Sequence, residues 1–304
     1  MLNIKSASVV LPKKPVIKLS LLACMLAAMS FFTSCDKDSE PPTPPVKKPT
    51  VLLGTSTTLG SYLTDTLGNT LYYFSNDYNG QSNCTGGCLN VWPIYYGGEL
   101  TAASLGTGLD LKDFATITTA SGKQTTYKSW PLYYYAPASG ATNVRENPGE
   151  TKGEGVGNVW YVAKPDYSIM LVNAQLIGND GKMYKNDYTE GTGKTLYFSD
   201  AMGVTLYGFA KDSANLNKFT KSDFSNNAVW PIYETDKMVV PSTLDKAKFS
   251  VTTVYGKKQL SYNGWPMYYF GADSLIRGRN KGVSVPVPKV WPAMVKDAPA
   301  APAP

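Results

Sequence analysis

The sequence predicts an all-β protein: two tandem homologous antiparallel β domains, sandwich or barrel, each made of two sub-repeats, with a single four-bladed propeller-like domain as the alternative. Three observations predict it. The chain resembles itself at the offset that carries Tyr72 to Tyr207, each half holds a weaker echo at the offset from Tyr72 to Tyr133, and its β-branched and aromatic runs lack a helical period.

The long offset rests on identities. Leu71-Tyr72 recurs as Leu206-Tyr207, Phe114 as Phe249, Trp130-Pro131 as Trp265-Pro266 and Tyr134 as Tyr269. VWPIY at 91 returns at 229, and GNVW ending at Trp160 is answered by PKVW ending at Trp291, so all six tryptophans fall into three pairs. The short offset maps Tyr72 onto Tyr133 and Tyr207 onto Tyr268, giving four units. Each unit has a short strand, a glycine-bearing turn (DTLG, TASG, DAMG, VYG), a second strand with Leu/Met-Tyr-x-aromatic, and an acid three residues further on. The third-position aromatics are Phe74, Tyr135, Phe209 and Phe270. The acid positions hold Asp77, Ala138, Asp212 and Asp273, so one unit has lost its acid. The step from Tyr72 to Tyr133 equals that from Tyr207 to Tyr268, while the step between, from Tyr133 to Tyr207, is longer; this favours two paired halves over a propeller.

Alternation sets the faces of these strands. Leu71 and Tyr73 point one way, Tyr72 and Phe74 the other. In the second half the residue between Tyr207 and Phe209 is Gly208, so the Tyr-x-Phe face packs and the intervening residue is freer. The run FATITTASGKQTTYKSWPLYYY from Phe114, punctuated by Ser-Gly and Trp-Pro, reads as short paired strands. NDYNG at 76–80 then reads as a turn in which Asp77 accepts backbone N–H bonds; calcium is the sharper alternative, weakened by a lone acid.

The N-terminus gives an address. Lys5, Lys13, Lys14 and Lys18 precede the apolar run LSLLACMLAAMSFFTSC and the polar DKDSE, the layout of an export signal. The stretch from Leu19 to Ser34 is 16 residues, short of the about 20 that a spanning helix needs. FTSC resembles the lipobox of bacterial lipoproteins, which makes Cys35 the lipidated first mature residue; the competing LLAC at Cys24 follows Lys18 too closely for an apolar signal core. DKDSE resembles the surface-export signal of Bacteroidota lipoproteins, implying display on the outer face of the outer membrane. Loss of residues 1–34 removes four lysines and no acid, taking the formal charge from +6 to +2, so nothing argues for a nucleic-acid partner. The expected division is a signal peptide at 1–34, a Pro-rich tether at 35–50, a first β repeat domain at 51–165, a connector at 166–193, a second β repeat domain at 194–297 and a disordered tail at 298–304.

Chemistry is bounded by what is missing. There is no histidine in 304 residues, which excludes Ser-His-Asp and Cys-His catalysis and a histidine-held haem. Cys84 and Cys88 enclose only Thr85, Gly86 and Gly87 in an exported chain, so a local disulfide bracing the loop before Trp92 is expected; a Cu(I) or redox site is the runner-up. The Trp-Pro steps read as core before sugar platform, leaving Tyr78, Tyr95 and Tyr96 as ligand-contact candidates. Paired carboxylates of glycosidase type are the acid–base chemistry that remains, and no spacing places two across a cleft.

The repeated letters resemble a bacterial family of secreted repeats, or predicted lipoproteins, with a Yx(FWY)xxD motif. The resemblance covers roughly residues 60–295 and includes Ser82, Cys84, Gly86 and Cys88 followed by Trp92-Pro93. It implies export and supplies no reaction. The expectation is therefore a surface-displayed, lipid-anchored repeat protein acting as a binding or structural module, with no enzyme activity and no cofactor. Its partners would be the membrane, through the N-terminal lipid, and a glycan or cell-surface protein. The alternative is an electron-transfer or metal-handling lipoprotein using the Cys84/Cys88 loop.

Overall fold

The computed structural model describes residues 50–304; the lipidation candidate Cys35, the signal peptide and all of the tether but Thr50 lie outside the described residues. The described residues are mostly strand and turn, arranged as six sheets of two or three strands, and no sheet closes into a barrel.

Each half begins with an antiparallel pair. In the first, β1 (Val51–Ser56) pairs with β2 (Gly60–Asp65), with Val51 opposite Asp65. The centre of the half is β3 (Tyr72–Phe74), whose hydrophobic residues are all buried. Each half also holds a three-stranded meander: β4 (Phe114–Thr119), β5 (Gly122–Tyr127) and β6 (Trp130–Pro131) in the first. A small hairpin, β7 (Ala138–Ser139) and β8 (Thr142–Asn143), and β9 (Trp160–Val162) complete it. In the second half β10 (Met170–Ile177) pairs with β11 (Met183–Tyr184) on one edge and β12 (Lys194–Ser199) on the other. The meander returns as β13 (Phe249–Val254), β14 (Lys257–Tyr262) and β15 (Trp265–Pro266).

The two sub-repeats of a half pair through their motif tyrosines. Tyr72 and Tyr133 exchange both backbone hydrogen bonds, at 2.8 and 3.0 Å, as do Tyr207 and Tyr268, both at 2.9 Å. Outer neighbours extend the row: Val162 lies beside Tyr72 and Ile94 beside Tyr133, while Ala293 and Ile232 take these places in the second half. Four short, mutually paired segments thus meet at the centre of each half.

Three expectations change. First, the halves are not separate bodies: the described residues form one compact unit, and Tyr73, Trp130, Tyr161 and Tyr167 share a core with Leu171, Phe198, Tyr207 and Met294. The cause is the face that alternation left unassigned. Tyr73, expected to be the freer residue, is fully buried against the second half, and at Gly208 a Cβ would lie 2.9 Å from Met294 Cε. Second, the 166–193 connector contains β10, which pairs with β12 as β1 pairs with β2; the extra length is a hairpin at 178–193 inside that pair. Third, the 298–304 tail is tied down. Trp265 Nε1 donates to the Pro299 carbonyl at 2.7 Å, and Ala214 N to that of Pro302 at 2.8 Å. Each proline lacks an N–H donor but keeps its carbonyl as an acceptor, and Ala301 between them donates its N–H to the Asn263 carbonyl at 3.0 Å.

Candidate functional site: the tyrosine–tryptophan clusters

The central pairing crosses the motif between units. Because Tyr72 and Tyr133 run antiparallel, each ring lies over the turn that leaves its partner's strand. Tyr133 donates its hydroxyl proton to Asp77 Oδ2 at 2.7 Å, Tyr268 donates to Asp212 Oδ2 at 2.7 Å, and Tyr207 donates to Asp273 Oδ2 at 2.5 Å. The acid of each unit thus serves the tyrosine of the other.

The unit with Ala138 keeps the arrangement by another route. Its strand continues into the β7–β8 hairpin, and Glu146 beyond it accepts the Tyr72 hydroxyl at 2.5 Å. Ala138 itself is exposed. Each acid also closes its own loop with the second oxygen, accepting the backbone N–H of Asn83 (2.7 Å), Lys152 (2.7 Å), Lys218 (2.7 Å) or Lys281 (3.0 Å). Two glycines make room for the rings. Gly153 N and Gly282 N donate to the hydroxyls of Tyr72 and Tyr207 at 3.2 and 3.3 Å, and a Cβ at either would lie within 2.8 Å of the ring.

Between the paired tyrosines lie two stacked indoles. Trp92 and Trp160 have centroids 3.8 Å apart at 3°, and Trp230 and Trp291 3.7 Å apart at 7°. Tyr133 meets Trp160 edge-on at 5.1 Å and Tyr72 meets Trp92 at 5.5 Å; Tyr268 and Tyr207 repeat this with Trp291 and Trp230 at 5.2 and 5.4 Å. The third-position aromatics cap the stacks: Phe74 lies 4.0 Å from Trp160 and Tyr135 4.5 Å from Trp92, while Phe209 lies 4.3 Å from Trp291 and Phe270 4.3 Å from Trp230. The edge-on contacts are a favoured geometry of aromatic pairs.

The electrostatics follow from burial. Desolvation pushes Asp77 up to about 7 and Asp212 up to about 6, against the backbone N–H and tyrosine hydroxyl that favour their charged forms. Glu146 and Asp273 are raised for the same reason. Burial and then the neighbouring carboxylate raise the Tyr133, Tyr207 and Tyr268 phenols far above the ordinary tyrosine range; for Tyr72, burial is followed by its bond to Glu146.

The remaining predicted residues part company. Cys84 and Cys88 are joined at disulfide distance, with Cα atoms 5.4 Å apart, at the start of a single helical turn, α1 (Cys88–Val91), that leads to Trp92. Tyr95 is buried, its hydroxyl donating to the Thr50 carbonyl at 2.9 Å, and so offers no ligand surface. Tyr78 is half-buried against the shared core. Tyr96 is exposed, bonded to Glu99 at 2.9 Å. Of the tryptophans, Trp265 alone is more than a few per cent exposed, so stacking of a sugar on these rings is precluded at the other five.

Sequence reasoning passed over three acids. Glu146 carries no motif spacing. Asp65 and Asp200, by contrast, are related by the same long offset as Tyr72 and Tyr207, in DTLG and DAMG, and accept the hydroxyls of Tyr134 and Tyr269, both at 2.9 Å. A cleft of about 400 Å³ between Tyr161, Thr195, Thr243 and Lys296 contains none of the predicted site residues.

Among the described residues no helix is long and apolar enough to cross a membrane. No curated protein and no solved structure matches the chain. Residues 55–95, the stretch that holds Tyr72, Phe74, Asp77, both bonded cysteines and Trp92, match the model of a family described as a secreted repeat of unknown function, the family its motif resembles.

Proposed function

We propose that the chain is a lipid-anchored repeat protein displayed on the outer face of the outer membrane, acting there as a binding or structural module and not as an enzyme. One observation carries the choice of module over enzyme, the anchor resting on the sequence around Cys35: the repeated motif is turned inward. Asp77, Asp212 and Asp273 are fully buried, each closed between a tyrosine hydroxyl and a backbone N–H. A general acid or base must reach a substrate proton, and these reach only protein. The repeat therefore builds a rigid body, and recognition falls to its surface.

The cleft between Tyr161, Thr195, Thr243 and Lys296, with Asn158 and Asn186 on its walls, supplies the amide, hydroxyl and ammonium groups that a glycan partner needs. The exposed rings of Tyr96 and Tyr255 are the aromatic surfaces for a glycan or a cell-surface protein. A thiolate site at Cys84 and Cys88 is not favoured, because the sulfurs are bonded to each other.

Labelling cells with a palmitate analogue tests the anchor. Label should enter the wild-type protein and vanish in Cys35→Ser, and protease added to intact cells should degrade the wild type. Label that survives Cys35→Ser, or a chain protected until the cells are broken, would contradict the reading.

A further inference from the structure

We propose that the two Tyr–Trp–Trp–Tyr clusters are one-electron donors: each yields an electron to an oxidised metal complex at the protein surface while a cluster tyrosine passes its proton to the buried carboxylate beside it. This goes beyond the binding module and uses neither cysteine.

Geometry carries the inference. In each half four oxidisable rings follow one another at 5.1, 3.8 and 5.5 Å, or 5.2, 3.7 and 5.4 Å, which is contact distance for electron exchange between π systems. Face-to-face indoles share a positive charge between two rings. At both ends of each row a phenol already donates to a carboxylate.

That bond decides where the oxidation comes to rest. A tyrosine that loses an electron becomes a strong acid, so its potential depends on having a proton acceptor in place. The step balances within the pair: the electron goes to the metal complex, the O–H bond of Tyr133 breaks, and a new O–H bond forms on Asp77. A phenol and a carboxylate become a neutral phenoxyl radical and a carboxylic acid. The buried pair therefore passes from one negative charge to none, and an interior that penalises buried charge favours that direction.

The fourth unit supports the same conclusion. For a plain hydrogen bond to the Tyr72 hydroxyl, a neutral amide or a carbonyl would serve and would bury no charge. Yet where the motif acid is lost at Ala138, another carboxylate, Glu146, stands at the hydroxyl. In the first half the row reaches the surface through Tyr135, half-buried against Trp92 and 6.3 Å from Tyr72.

The test is flash-quench oxidation of the mature protein by photogenerated tris(bipyridine)ruthenium(III), followed by transient absorption and electron paramagnetic resonance. The wild type should give a long-lived neutral tyrosyl radical that forms more slowly in D2O and makes no dityrosine cross-link between chains. Asp77→Asn and Glu146→Gln with Asp212→Asn and Asp273→Asn, which remove all four acceptors, should lose most of that signal and leave tryptophan radical cation in its place. Should those variants fail to fold, Tyr72→Phe and Tyr133→Phe with Tyr207→Phe and Tyr268→Phe keep the rings and remove only the four hydroxyls, and should lose the same component. Radicals confined to exposed tyrosines, recognised by dityrosine-linked oligomers and by equal yields in the phenylalanine variant, would overturn the proposal.

Discussion

At the residue scale, the buried carboxylates couple folding to pH. Asp77 and Asp212, pushed by desolvation to about 7 and about 6, hold a proton in the folded chain at pH values where the unfolded chain has released it. Glu146, Asp200 and Asp273 are raised in the same direction. A raised carboxyl contributes stability that is fully present below its unfolded pKa of about 4 and is lost as pH rises through its folded value. The melting temperature should therefore fall between about pH 4 and pH 7, and Asp77→Asn should flatten the upper part of that fall. Surface carboxylates held low by lysines or by backbone N–H groups, such as Asp110 and Glu150, act in the opposite sense only at lower pH. Differential scanning fluorimetry across this range checks both statements; a melting temperature that rises from pH 5 to pH 7 would mean these acids are solvated.

At the element scale, the disulfide loop and α1 set the place of Trp92. Cys84 is buried beside Tyr72, Trp92 and Tyr133, so the bond fixes a short loop against one cluster. A loop of about five residues corresponds to roughly 2 kcal/mol by chain entropy. Cys84→Ser with Cys88→Ser should lower stability by about that much in chemical denaturation, and an unchanged midpoint would remove the brace. What the sequence disclosed belongs largely to this scale. Alternation in Leu71-Tyr72-Tyr73-Phe74 set Tyr72 and Phe74 on one face, and the spacing of Cys84 and Cys88 in an exported chain pointed to their bond. Alternation names a face without naming its partner, however. It therefore missed that Tyr72 reaches the acid of another unit, and that the other face, at Tyr73, is covered by the second half. Glu146 was hidden because the β7–β8 hairpin carries it well past the motif position at Ala138.

At the scale of the whole molecule, Arg277 fastens one half to the other. Its guanidinium lies 4.2 Å from the Trp130 ring centre and donates to the carbonyls of Ser129 at 2.6 Å, Asp77 at 3.2 Å and Met202 at 3.2 Å. Burial lowers its pKa to about 10, against the pull of Asp77 and Asp200. Trp130 Nε1 also crosses to the Ala201 carbonyl at 3.2 Å. Arg277→Met keeps the stem and strips these donors, and should cost about 1–3 kcal/mol. Because the halves share a core, wild-type unfolding followed by tryptophan fluorescence and by far-ultraviolet circular dichroism should trace one coincident transition. Two transitions would mean that the halves fold apart.

The crossed pairing of tyrosine and acid is the point on which fold, pH response and electron donation all depend. The most direct measurement is a pair of double-mutant cycles in chemical denaturation, Tyr133→Phe with Asp77→Asn across units, and Tyr72→Phe with Asp77→Asn inside one motif. The crossed pair should show a coupling of about 0.5–3 kcal/mol and the within-motif pair one near zero. Coupling within the motif and none across it would contradict the crossed arrangement.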